Sequence, residues 1–553
     1  MTFITDKNRF LGLLTTLWLC LASGFALAQE VQSALPVQPA LTANEGAPTE
    51  AKPVPSDPEF DVMEYRVEGN SVLPAIEIEQ AIYPFAGEGK TIKDVEQARA
   101  SLEKAYHDGG YLTVLVDIPE QDVKNGIVRL KVNEAKVDRL RVTGSRYYSL
   151  GKIRETAPSL AEGNVPYFPD VQKELTELNR FPGRRVTPVL RGGRTPGTVE
   201  ADLKVDDKLP LHASLELNNH YTANTSHTRL AGMVRYDNLW QRNHSLTLNA
   251  QVSPEKTSES KVFSASYLFP VPKSGVMVAA YAIHSASDVA AVGDINVLGN
   301  GNIYGLRAII PLRARPNYFH SFTVGVDRKD FGETVSLLGS DSINTPIRYT
   351  PLMAQYSATL TDEQGTTQFN LGTSFALRGF MGNSDAAFEN KRFKAHANYF
   401  ILKGDVSRTQ DLTHGWGIVG KLDTQIASQP LISNEQYGAG GADSVRGYLE
   451  SERLGDYGAH GMLELHAPNL LGTSEGPSTI LYPLVFLEGA AIRIRDPLPD
   501  QQSSFTLSSA GMGLRLRGSK GVNLDVDLAR VFKEGAYTHA GDSRVHLKLA
   551  YEF

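Results

Sequence analysis

The spacing of apolar residues changes once along the chain. Before residue 209 it is partly helical. At 76–83 and 95–106 apolar residues recur every three or four positions, and Val95, Ala98, Leu102 and Ala105 share one face. Two helices are predicted there, with Asp94 placed to cap the second and Gly109-Gly110 to stop it. Residues 61–67, 111–118 and 126–132 read as strands. The order strand, helix, helix, strand, strand then recurs at 137–142, 150–157, 171–179, 185–190 and 198–205. Two copies of one small unit make an internal repeat.

From about residue 210 the period becomes two. Alternating segments occur at 262–269, 275–283, 304–311, 367–375, 416–426, 462–466, 507–516 and 522–531. In the last one Val545, Leu547, Leu549, Tyr551 and Phe553 share a face. A tally gives about 16 such segments, an even number as closed bacterial barrels have. Connections at 237–243, 270–274, 313–316 and 517–520 are short, whereas 285–302, 328–344, 428–457 and 493–505 are long. Long and short connections alternate, as they do at the two ends of a membrane barrel. A soluble β-sandwich accounts for neither this asymmetry nor the aromatic end at Tyr551 and Phe553.

Composition narrows the picture. Lys7 and Arg9 precede an apolar run at 11–21 and the small-x-small site Ala26-Leu27-Ala28, the pattern of a secretory leader over 1–28. The single cysteine, Cys20, lies in that leader. Disulfides, thiolate metal sites and cysteine nucleophiles are therefore excluded from the mature chain. The hydrophobic fraction of 41% and mean hydropathy of −0.24 suit alternating strands. The net charge of −7 comes with no basic stripe for nucleic acid. Residues 29–58 carry Pro36, Pro39, Pro48, Pro53, Pro55 and Pro58 and read as an extended linker. Residues 472–476 fit G-x-S-x-G, but a turn before a strand is the wrong setting for a nucleophile elbow. The 13 histidines show no paired-ligand spacing.

The most informative stretch is 436–448, QYGAGGADSVRGY, which sets one arginine among four glycines. An enclosed arginine needs a carboxylate, because an unpaired buried charge is costly. Three groups of residues resemble the outer-membrane transporters of the two-partner secretion family (TpsB, haemolysin secretion/activation type). The first is Tyr106, Gly110-Tyr111, Pro119-Glu120-Gln121, Gly126 and Val132-Asn133-Glu134, similar to that family's first POTRA domain. The second is Val445-Arg446-Gly447-Tyr448 with 455–458, similar to its sixth loop. The third is 486–490, FLEGA, where the family has F-x-D-x-G; here Glu488 replaces the aspartate and the glycine comes one position early.

The resemblance implies two periplasmic α/β POTRA domains (59–134 and 135–208) before a barrel of about 16 antiparallel strands over 209–553. Loop 6, 428–457, would fold into the lumen with Arg446 on Glu488; Asp443, Asp456 and Asp423 are rival partners. Tyr551 and Phe553 would signal barrel insertion. The implied partner is a secreted exoprotein of the TpsA type, an adhesin or cytolysin, held through its amino-terminal secretion domain. Its expected contacts are the strand and helix carrying Val137, Leu140, Val142, Val171, Leu175 and Leu178. Contact with outer-membrane lipid, insertion by the barrel-assembly machinery, a monomeric state, and no cofactor, metal, enzymatic activity or nucleic acid complete the expectation. The competing readings are a barrel-assembly insertase, a diffusion or uptake porin, and a hydrolase with a barrel anchor. Some family members plug the pore with an amino-terminal helix, which the prolines of 29–58 disfavour. Deleting 29–58 is expected to change the closed-state current little, as planar-bilayer recording would show.

Overall fold

The computed structural model describes residues 58–553 apart from 124, 182, 224, 273, 287–288, 293–294, 299, 333, 337–341, 473–478 and 500. The leader, the proline-rich linker and most of the G-x-S-x-G segment lie outside the described residues.

Two small α/β units come first. In the first, β1 (Glu64–Glu68), α1 (Ala75–Ile82), α2 (Ile92–Asp108), β2 (Val114–Asp117) and β3 (Ile127–Glu134) follow in that order. β3 lies centrally, parallel to β1 and antiparallel to β2. α2 buries Val95, Ala98, Leu102 and Tyr106 along one face. It starts earlier than the apolar spacing indicates, because Thr91 is its cap. Asp94 sits at the third helical position, where its side chain accepts the Thr91 N–H at 2.8 Å to close a capping box. The second unit repeats the plan with β4 (Lys136–Thr143), α3 (Leu150–Glu155), α4 (Phe168–Leu178), β5 (Arg184–Gly192) and β6 (Thr198–Asp207). β6 is central, parallel to β4 and antiparallel to β5.

One device recurs in both copies. Gly69 (φ +94°) and Gly144 (φ +87°) turn the chain out of the first strand of each unit. A Cβ on either would sit 2.4 Å from a backbone oxygen, that of Val132 or Val205. Two residues beyond that valine a carboxylate gathers the turn. Glu134 accepts the N–H groups of Ser71 and Val72; Asp207 accepts those of Arg146, Tyr147 and Tyr148 together with the Ser145 hydroxyl. Partial burial raises the Asp207 pKa, but these donors outweigh it and hold the carboxyl below its ordinary range. Asp207→Ala is expected to destabilise the second unit by about 2 kcal/mol, read as a lower urea midpoint for proteolysis of 135–208 in the full chain. A depressed carboxyl pKa stabilises above the unfolded value of 3.8 and loses that contribution as pH falls through the folded value. The gap between variant and parent should therefore close at acid pH.

The units are jointed tightly. Gly110 accepts the Phe168 N–H at 2.9 Å, and the Tyr111 and Tyr167 rings lie 5.3 Å apart. Gln241, in the first short turn of the sheet that follows, accepts from the Ser149 N–H and donates to the Tyr147 carbonyl. Arg180 donates to the Gly275 carbonyl in the second short turn.

The rest is a closed antiparallel barrel of sixteen strands. They are β7 (Leu211–Asn218), β8 (Arg229–Leu239), β9 (His244–Val252), β10 (Lys261–Pro270), β11 (Met277–Ser285), β12 (Gly301–Pro311), β13 (Tyr318–Phe331), β14, β15 (Gly365–Phe375), β16 (Phe400–Asp411), β17 (Gly417–Ala427), β18 (Tyr457–His466), β19 (Ile480–Arg493), β20 (Ser504–Arg517), β21 (Val522–Val531) and β22 (Ser543–Glu552). β14 comes in two pieces, Ile347–Tyr349 and Leu352–Asp362, both paired with β13. β22 closes onto β7, from Lys548 opposite Asn218 to Glu552 opposite Ser214.

Alternation decides which way each side chain faces. On β22, Val545, Leu547, Leu549 and Tyr551 are exposed on the outside, while His546 and Ala550 are buried within. The connection after β18 departs from the expected alternation, since 467–479 lies at the short-turn end yet is long.

Candidate functional site: the anchored loop in the barrel lumen

Loop 6 runs from β17 to β18, between the eleventh and twelfth barrel strands. Tyr437–Ala439 pairs with Arg453–Gly455 to form a hairpin stem. Ala439 at the end of the stem, and Val445 and Tyr448 beyond it, are buried with Ala490 and Ile492 of β19, Leu507 of β20 and Val531 of β21. The tip therefore lies against the inner wall of the barrel.

The structure brings Arg446 and Glu488 together. Glu488 accepts the Arg446 backbone N–H at 2.7 Å and Nε at 2.8 Å, and also bonds Nη2. The guanidinium, 3% exposed, also meets Glu464 of β18 at 2.6 Å and Asp527 of β21 at 3.4 Å. Its Cζ lies over the Phe486 ring, 3.5 Å from the ring centre. A planar fork suits this setting, since it can bond carboxylates at its edge and stack on a ring by its face. The extra methylene of glutamate lets one carboxylate serve both the backbone and the side chain of Arg446.

The flanking motif residues are held as firmly. Gly447 takes φ +97°, and a Cβ there would lie 2.8 Å from Val531 Cγ2. Its N–H donates to His546 Nε2 at 2.8 Å and its carbonyl accepts from Arg544. The Tyr448 hydroxyl donates to the Lys533 carbonyl in the last long loop. Glu452, beyond the motif, accepts from Leu449, Tyr537 and Thr538.

None of the rival carboxylates reaches Arg446. Asp443 is exposed. Asp423 bonds the Tyr437 hydroxyl and His460. Asp456 is fully buried and pairs instead with Arg392 of the preceding long loop, at 2.6 and 2.7 Å. Sequence reasoning missed Glu464, Asp527 and Phe486 as members of the cluster. A signal was available for Phe486, which shares strand parity with Glu488; Glu464 and Asp527 require the register of neighbouring strands.

The residues expected to touch a client need correction. Val137, Leu140, Val171 and Leu178 are buried in the core of the second unit, with Val142 and Leu175 packed against it. Their side chains hold that unit together and are not offered outward. The β4 edge is also largely closed. The Val137 N–H and carbonyl bond Asn164 and Gly163, the Leu140 N–H donates to Glu162, and Arg154 caps the Leu140 carbonyl.

Residues 197–516, more than half of the chain, match the family described as haemolysin secretion/activation protein ShlB/FhaC/HecB. The chain belongs to that family. Residues 60–135 match its ShlB-type POTRA domain. The outer membrane transporter CdiB of Dickeya dadantii (strain 3937) is 21% identical over 427 residues, 76% of this chain and 74% of that protein. The heme/hemopexin transporter protein HuxB of Haemophilus influenzae (strain 86-028NP) is 20% identical over 467 residues, 83% of this chain and 81% of that protein. Among solved structures, CdiB from Escherichia coli shares the fold at a TM-score of 0.59 and 18% identity, covering 91% of this chain and 93% of that one. The chain is thus an outer-membrane translocator of exoproteins of the TpsA type, with its POTRA units in the periplasm. The short-turn end of the barrel is periplasmic and the long loops face the cell surface.

Proposed function

We propose that the Arg446–Glu488 anchor keeps the tip of loop 6 seated in the lumen and that export of the client depends on this seat. The supporting observation is the enclosure of Arg446 by three carboxylates and a ring, a larger commitment than an idle loop requires. The client, an adhesin or cytolysin, docks in the periplasm by adding a strand to an open POTRA edge. Of the four edges of the two three-stranded sheets, three carry caps. β4 is closed as described, Asn179 bonds both backbone groups of Val186 on β5, and Arg99 and Glu103 bond those of Val116 on β2. β1 is the remaining edge. The client then threads the barrel unfolded and folds outside, with no catalytic step by this chain. The translocator works as a monomer, inserted by the barrel-assembly machinery and held by its outer apolar band.

A photoreactive side chain at Arg66, exposed on β1, is expected to capture the client's amino-terminal domain. The same probe at Arg139 on β4 should not. Capture at Arg139 alone would overturn the choice of edge.

A further inference from the structure

Loop 6 reaches two walls of the lumen. Its tip lies on β18–β21, but its first residues, 428–436, cross to the opposite side. There Leu431 and Ile432 are buried with Val262 of β10, Ile283 of β11, Ile303 of β12, Phe331 of β13 and Tyr349 of β14. The long loop between β15 and β16, residues 376–399, packs into the same cluster. Within it α5 (Asp385–Lys391) buries Phe388 edge-on to Tyr349, with ring centres 5.3 Å apart. Asn383 bonds both backbone groups of Thr350. Together these segments fill the lumen towards its long-loop end.

Two buried carboxylates pin this filling at opposite sides. On one side Asp456 accepts Arg392 bidentately, and also accepts the Leu431 and Arg495 N–H groups, so three long loops meet on it. On the other side Glu435 accepts Lys329 Nζ of β13 at 2.5 Å and the Tyr349 hydroxyl at 2.7 Å. Neither carboxylate touches the Arg446 cluster.

We propose that 376–399 and 428–436 form a cap on the pore, pinned by Asp456 and Glu435, that swings out for export while the Arg446 tip stays seated. The cap rests on the channel reading above and adds to it a moving part and a fixed part. Asp456 and Glu435 are positioning residues for the closed state. Removing one partner of a buried ion pair strongly destabilises the state that holds it. Glu435→Gln and Asp456→Asn should therefore raise the open fraction of the channel about tenfold or more.

The test is single-channel recording of the full chain in planar bilayers with KCl, each variant first showing folded, heat-modifiable migration. The described residues contain no cysteine, so introduced pairs are unambiguous. Lys329→Cys/Glu435→Cys joined by a short, reducible bis-methanethiosulfonate should abolish opening, and reductant should restore it. Arg453→Cys/Phe505→Cys, at a stem contact of 4.3 Å, should gate normally when joined. The proposal is overturned if the joined Glu435 pair still opens, or if the joined Arg453 pair closes the pore equally. These outcomes concern ion flow alone. A failure of the anchor reading would appear separately, as normal client export by an Arg446 variant.

Discussion

Arg446→Ala should leave a folded barrel in the outer membrane and reduce export of the client at least a hundredfold. Among the described residues the guanidinium is the only cation bonded to Glu488, and it also meets Glu464 and Asp527 at the inner wall, which bond His466 and Arg515 as well. Removing one partner of such a buried set costs about 3–5 kcal/mol. At about 1.4 kcal/mol per factor of ten, that suffices to empty the seated state of the tip. The strands themselves are held by their own ladders and by the outer apolar band, so insertion should persist. Arg446→Lys should rescue little, because an ammonium cannot bond two carboxylates in a fork and stack on Phe486 at once. Immunoblots of membrane and medium fractions would separate insertion from export. Normal export by the alanine variant would sink the anchor.

Glu488→Ala should give the second large defect, close to that of Arg446→Ala. It strips partners from the Arg446 backbone N–H as well as from the side chain. Glu488→Gln keeps the shape but loses the charge, so its export should fall between that of Glu488→Ala and that of the parent. Asp443→Ala should export normally, since its side chain lies in solvent. An export defect in Asp443→Ala with a silent Glu488→Ala would reverse the assignment.

Much of this arrangement was legible in the chain because alternation carries two facts at once. Along 545–553 it marks a strand and also which side chains meet lipid. The glycine-rich arginine loop was legible because few other settings need four glycines around one charge. Helix starts were less so. Asp94 looked like the cap because the apolar run begins at Val95, whereas the capping box places the boundary at Thr91. The client contacts misled for a different reason. An apolar residue on a predicted edge strand reads alike whether it faces a partner or its own core, and Val137 and Leu140 face the core. Glu464 and Asp527 stayed hidden because cross-strand register is set by the pairing of distant segments. The pinning role of Asp456 stayed hidden for a similar reason, since its partners come from loops far apart in the chain.

The most direct measurement is a double-mutant cycle on Arg446 and Glu488, with exported client as the readout. If the two act as one anchor, Arg446→Ala/Glu488→Ala should export no less than either single variant, because the second substitution removes the charge stranded by the first. Losses that multiply in the double variant, or wild-type export by either single variant, would contradict the account.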